Sequence, residues 1–158
     1  MLEISNELLD ASFGEALETM AFITPLPPDD PAAAAAAPPP GAALALTRIE
    51  YRGAQSGALE LLCPRRLGAM LAANLMGCEP DDPEAEARAA DALRELLNIT
   101  CGTMLRNSGV TATGVVEMTV PAQRDVPSAD WGAFASSAGA SVFDADGCFV
   151  AVRRVELD

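Results

Sequence analysis

The sequence contains no histidine and no lysine. Without histidine there is no Ser-His-Asp or Cys-His catalysis, no imidazole acid–base chemistry and no histidine-ligated metal. All ten positive charges are arginines, set against 23 acidic residues, for a net charge of −13. That excess argues against nucleic acid and anionic membrane surfaces as partners, and leaves proteins with basic patches. Aromatic residues make up only 4% of the chain, so its core must be aliphatic, and a hydrophobic fraction of 50% suffices to build one. No apolar run approaches the length of a membrane span, which excludes membrane insertion. The opening Met-Leu-Glu-Ile-Ser-Asn-Glu is acidic and has none of the features of a signal peptide. The four cysteines, Cys63, Cys78, Cys101 and Cys148, form no CxxC pair. That speaks against a zinc site and for small buried thiols in a reducing cytoplasm. Any chemistry must rest on carboxylates, amides, hydroxyls or a metal brought by a partner. The length of 158 residues suits one domain, 1–158.

What is present centres on Asp91-Ala-Leu-Arg-Glu95-Leu-Leu-Asn98. Asp91, Glu95 and Asn98 recur at i, i+4 and i+7, one narrow stripe at helical period. Glu84, Arg88 and Gly102 extend that stripe. Ala89, Leu93, Leu96, Leu97, Thr100 and Met104 form an apolar seam on the opposite face. Within a helix Asn98 is a poor former, by roughly 0.3–0.7 kcal/mol, and Gly102 costs about 1 kcal/mol relative to Ala. Two unfavourable residues on one displayed face mark a functional surface, and Gly102 leaves room for a partner. On a solvated helix Arg88 would pair with Glu84 or Asp91.

Around this stretch the chain reads in order. A first helix spans about 5–22, with Ser5 as N-cap and Leu8, Leu9, Phe13, Leu17, Met20 and Ala21 on its apolar face. Residues 25–43 are low in complexity, rich in Pro and Ala, and read as a solvated, poorly ordered loop. Its six alanines are too few for an independent helix. Strands at 44–51 and 57–63 form a hairpin, and a helix at 64–76 buries Leu67, Leu71 and Leu75 before Gly77 ends it. After an acidic connector at 79–82, Pro83 opens one long helix that runs to Gly109. A strand at 111–120 closes at Pro121, residues 122–131 are a polar turn region, and strands at 140–143 and 148–157 are joined by Asp144-Ala-Asp-Gly147. The order αββααβββ predicts an α+β fold with helices on one face of a largely antiparallel sheet.

With these residues laid out, the chain resembles the CheC/CheX/FliY phosphatases of bacterial chemotaxis. Their signature is Asp or Ser, then Glu, Asn and a distant Pro at fixed spacing. Asp91, Glu95, Asn98 and, after residues 99–120, Pro121 match all four positions. The resemblance implies an α/β sandwich-like fold with the motif helix exposed. It implies a phosphorylated CheY-like response regulator as substrate, carrying an aspartyl phosphate and its own Mg²⁺, with no cofactor bound by this chain. In that reading Glu95 docks the regulator by pairing with a lysine, and Asn98 orients the attacking water. Asp91 and Pro121 are supporting residues. The CheC branch carries a second motif on its first helix. The corresponding residues here are Ala11, Glu15 and Glu18, so only Glu15 matches. A single site resembles the CheX branch, whose members are homodimers. The rival reading is a binding or adaptor module for a response regulator or a flagellar assembly.

Overall fold

The sheet is built around a long β-hairpin. The computed structural model describes residues 3–41 and 43–157. Positions 1, 2, 42 and 158, which fall in the expected acidic N-terminus, Pro/Ala loop and 1–158 domain, lie outside the described residues. Strand β1 (Ala43–Arg52) pairs antiparallel with β2 (Gly57–Cys63), and β2 pairs with β6 (Cys148–Glu156). Strand β5 (Ala140–Ala145) lies outside β6, so β2 is central and every one of its residues is buried. The β5–β6 turn places Asp146 at φ 54° and Gly147 at φ 84°, the paired left-handed conformation of a two-residue hairpin turn.

The far side of β1 is shared. Strand β4 (Ala122–Pro127) pairs with residues from Ala43 to Arg48, and β3 (Glu117–Met118) pairs only with Tyr51 and Arg52. This corrects two expectations. The strand expected at 111–120 is reduced to β3, preceded by a 3₁₀ turn at Val110–Thr113, because β4 occupies most of the β1 edge. The expected polar turn at 122–131 is instead β4 followed by the short helix α6 (Trp131–Ala135). An edge strand with one buried side chain, Val126, can be polar and still pair.

Three helices cover one face of the sheet. Helix α1 (Asn6–Ala21) starts where Ser5 Oγ accepts from the Leu8 N–H at 3.1 Å. Helix α3 (Arg65–Met76) ends at Gly77, and α5 (Ala89–Ser108) ends at Gly109, both in left-handed conformation. The seam predicted for α5 is buried throughout and lies in the main core with Phe13, Leu17, Leu67 and Leu71. Helices α3 and α5 approach so closely that a Cβ on Gly68 would lie 2.3 Å from the Ala89 carbonyl oxygen.

The helix expected to run unbroken from Pro83 is in fact two. Helix α4 (Pro83–Ala87) ends at Arg88, whose φ −101° and ψ 2° leave the helical range before α5 begins. Glu84 therefore belongs to a separate short helix, not to the stripe of α5. Leu75, expected inside, is 58% exposed at the end of α3.

The opposite face of the sheet is not bare, and the Pro/Ala segment is the reason. Asp30 caps a helix α2 (Pro31–Ala36), and Trp131 Nε1 donates to the Ala34 carbonyl at 2.9 Å. Trp131, Phe134, Leu44 and Leu62 form a second, smaller core there. The expectation of a solvated, poorly ordered loop is thus corrected. Six residues are too short to hold as a helix alone, and packing against a buried indole supplies what length does not. Glu60, 7% exposed in β2, meets Arg153 at 2.8 Å and Arg48 at 3.3 Å. The Arg153 guanidinium lies 4.0 Å from the Phe134 ring centre, tying α6 to the sheet.

Candidate functional site

Helix α5 is clamped from both sides, by α1 and α3, and its outward face carries the motif. Asp91 and Glu95 are exposed, while Asn98 and Gly102 are half-buried. The three motif side chains therefore share one solvent-facing side of a helix whose other side is fixed in the core. Such a platform holds side chains more firmly than a loop would.

The three differ in how they are engaged. The Asp91 carboxylate accepts a hydrogen bond from Arg94, one turn on, in a side-chain ion pair. Arg88 pairs with neither Glu84 nor Asp91, contrary to expectation; Asp91 is paired with Arg94 instead, while Arg88 lines the groove beside Asp91 and Glu95. Among the described residues, the Glu95 carboxylate has no ion pair and the Asn98 carboxamide has no hydrogen bond. Glu95 and Asn98 are thus uncommitted polar groups one turn apart. A carboxylate can meet a cation, and a carboxamide can both accept from and donate to a water without titrating.

Pro121 is half-buried at the junction of β3 and β4, so it does not close a long strand as expected. Two residues on, Gln123 Nε2 donates to Thr47 Oγ1 at 3.1 Å and to the Ala90 carbonyl at 3.4 Å. Gln123 therefore ties the start of β4 to the residue before Asp91. Nothing in the sequence singled Gln123 out, because its role depends on two partners distant along the chain.

Beside Glu95 runs a groove of about 300 Å³, lined by Met20, Leu75, Met76, Arg88, Asp91 and Glu95. A larger cavity of about 610 Å³ lies at the end of α1, between Phe22, Asn74 and Asp144. Its Asp144 is used in the turn, accepting from the Gly147 N–H at 2.7 Å. Among the described residues no three potential metal-ligating side chains come together. Cys63, Cys101 and Cys148 are buried, and burial pushes the Cys101 thiol up to about 12, while Cys78 is half-buried.

On α1 the corresponding positions Ala11, Glu15 and Glu18 are also exposed. Glu15 lies 3.6 Å from Arg106 of α5, and Glu18 accepts from Thr24 Oγ1 at 3.1 Å.

The mixed sheet-and-helix fold is that of the CheC/CheX-like proteins. The family model for chemotaxis phosphatase CheX matches residues 45–126, which hold all four motif positions, and the chain belongs to that family. The fold is similar to that of CheX from Desulfovibrio desulfuricans, at 13% identity and TM-score 0.64, covering 96% of this chain and 97% of that one. It is similar to CheX from Vibrio vulnificus, at 17% identity and TM-score 0.63, over 94% and 93% of the two chains. A third similar structure is a complex of CheX with CheY, BeF₃ and Mg²⁺ from Borrelia burgdorferi, at 18% identity and TM-score 0.62, over 99% of this chain and 100% of that one. No curated protein sequence matches this chain. Among the described residues no helix is long and apolar enough to cross a membrane.

Proposed function

We propose that this chain, acting as one domain, hydrolyses the aspartyl phosphate of a CheY-like response regulator. The observation that carries this reading is the pair Glu95 and Asn98, displayed on one fixed helix face and uncommitted among the described residues. Glu95 meets the lysine beside the regulator's phosphoaspartate and sets the helix in register. Asn98, one turn further along, enters the pocket and holds a water in line with phosphorus. The water oxygen bonds to phosphorus as the bond from phosphorus to the acyl oxygen breaks. The products are the regulator's free carboxylate and inorganic phosphate.

An acyl phosphate is already activated, since a carboxylate is a good leaving group, and the Mg²⁺ expected on the regulator would neutralise phosphoryl charge. What remains is to place the water, for which no titrating base is needed. That suits a chain without histidine. Asp91, held by Arg94, and Pro121, at the entry to β4, support the helix and do not touch the reacting atoms. The same reading places the chain in the cytoplasm with its regulator and, by analogy with the CheX branch, as a homodimer.

The test is to follow loss of phosphate from a phosphorylated CheY receiver with and without this protein. A shortened phosphate lifetime supports the phosphatase. Binding without any change in lifetime establishes the adaptor reading instead.

A further inference from the structure

The end of α1 carries a residue that the fold itself disfavours. Phe22 caps the helix at φ 57°, a left-handed conformation suited to glycine, and its side chain is 89% exposed. The capping bonds, from the Phe22 N–H to the Glu18 carbonyl at 3.0 Å and from the Ile23 N–H to the Leu17 carbonyl at 3.4 Å, are backbone bonds that glycine would make equally well. The phenyl ring is therefore not needed for the turn. At the neighbouring end of α3, Leu75 is 58% exposed where the helical pattern would bury it. The two ends are joined, since Asn74 Nδ2 donates to the Ala21 carbonyl at 2.9 Å. Asn74 lies between them in sequence and in space, adjoining Leu75 in the chain and lining the same cavity as Phe22.

Leu75 also lines the groove that reaches Glu95, together with Met20 and Met76. Leu75 and Met76 thus form an apolar ledge beside the motif helix, and the Asn74–Ala21 bond holds Phe22 near its far end. Its wall toward α5 carries Arg88, Asp91 and Glu95; with Asp91 engaged by Arg94, Glu95 is the carboxylate there with no ion pair among the described residues. A complementary surface would carry an apolar side chain beside a cation. On a chain of net charge −13, such a contact must rest on apolar burial and local charge pairing, because overall charge would repel an acidic partner.

We infer that this ledge, with Phe22 and Leu75 as its anchors, is the second half of the face that docks the phosphorylated receiver, and that it sets affinity and not turnover. The inference rests on the phosphatase reading above. The occupant is the receiver surface next to its active-site cation, contributing an apolar side chain to the groove beside Glu95. The ledge is continuous with the Glu95 face, so one rigid partner meets both. Flexible methionines beside a leucine form the kind of surface that adapts to such a side chain.

The test compares Phe22→Gly, Leu75→Ser and Asn98→Ala, using a CheY receiver from the same genome loaded with beryllofluoride and Mg²⁺ for binding, and the phosphorylated receiver for kinetics. Phe22→Gly relieves the left-handed backbone, so it keeps or raises the melting temperature and loss of folding cannot explain its effect. We expect Phe22→Gly and Leu75→Ser each to weaken Kd and raise KM by about tenfold, with kcat at saturating receiver unchanged. Asn98→Ala should instead lower kcat while leaving Kd nearly unchanged. If both ledge variants keep Kd and KM within about twofold of wild type, the ledge is not part of the docking face. If they turn a dimer into a monomer while receiver affinity holds, the ledge is covered by a second copy and the inference falls. Failure of the phosphatase reading shows separately, as a wild-type protein that leaves the phosphate lifetime unchanged.

Discussion

Helices α1 and α5 lie against each other on the same face of the sheet, and each displays a polar stripe with a central glutamate. On α1 that stripe is spent within the molecule: Glu15 faces Arg106, and Glu18 accepts from Thr24. On α5 only Asp91 is spent, on Arg94, while Glu95 and Asn98 are left without partners among the described residues. The bonds on α1 are exposed and weak, so they do not lock it. What separates the helices is the residue one turn after the glutamate. A carboxylate at Glu18 adds negative charge where a phosphoryl group would approach, while the carboxamide at Asn98 can hold a water there. In the proposed reaction, similar scaffolding leaves the chemistry to a single side chain.

The largest expected effect breaks the comparison at that residue. Asn98→Ala should lower kcat by about 100-fold while leaving receiver binding nearly intact, because its contact is with the water and matters most in the transition state. Single-turnover decay of the phosphorylated receiver measures it. Near-full turnover in this variant would remove Asn98 from the mechanism and make α5 no more catalytic than α1.

Glu95→Gln comes next. The substitution keeps shape and removes charge, and an interfacial charge pair that loses one partner costs about 2 kcal/mol or more. The expected signature is a raised KM, together with non-additivity between this change and neutralisation of the receiver lysine. Additive effects in that double-mutant cycle would show that the two side chains do not meet. Glu15→Gln on α1 is the matched control and should leave KM unchanged.

Gly102→Ala should act in opposite directions on stability and function. Beyond its own helix backbone and chain neighbours, a Cβ there meets nothing within 4 Å among the described residues, so the substitution should stabilise α5 by about 0.5–1 kcal/mol. Thermal unfolding should show the gain, and receiver titration should show weaker binding if the open space is used by the partner. A gain in stability with unchanged affinity would leave Gly102 without a role at the interface.

The parts of the fold visible in the sequence are those set by local rules. The seam and stripe of α5, the caps at Ser5, Gly77 and Gly109, and the β1–β2 and β5–β6 hairpins all follow from periodicity and turn chemistry. The motif was legible for the same reason: its spacing on one helix is a local property. The parts that were hidden depend on remote partners. Helix α2 exists because Trp131 accepts it as a neighbour, and β4 pairs although its sequence is polar, because it lies at an edge. Leu75 follows the helical pattern into the core on paper, yet α3 ends before anything covers it. Arg94 was available as the partner of Asp91 by spacing alone, but the helix break at Arg88 was not visible.

The smallest expected effect concerns α1 and not the motif. Asp10 is half-buried, its Oδ1 has no hydrogen-bond partner among the described residues, and burial raises its carboxyl above the ordinary value of 3.8, against the nearby Ser141 hydroxyl, which lowers it, and with the Glu7 charge adding to the rise. A carboxyl whose pKa is raised by folding favours its neutral form in the native state. The stability linked to it is fully present below the unfolded value of 3.8 and is lost as pH rises through the folded value. At neutral pH, then, Asp10 is a charge held where folding disfavours it. Asp10→Asn keeps the shape and removes that charge, so it should raise the melting temperature at pH 7. The gain should shrink as pH falls through the raised pKa and be gone below about pH 4, where the aspartate is already protonated. Melting curves of wild type and variant across that range measure it. A difference independent of pH would trace the effect to packing and not to the charge. Phosphatase activity should be unchanged, since Asp10 belongs to the helix whose polar groups take no part in the reaction.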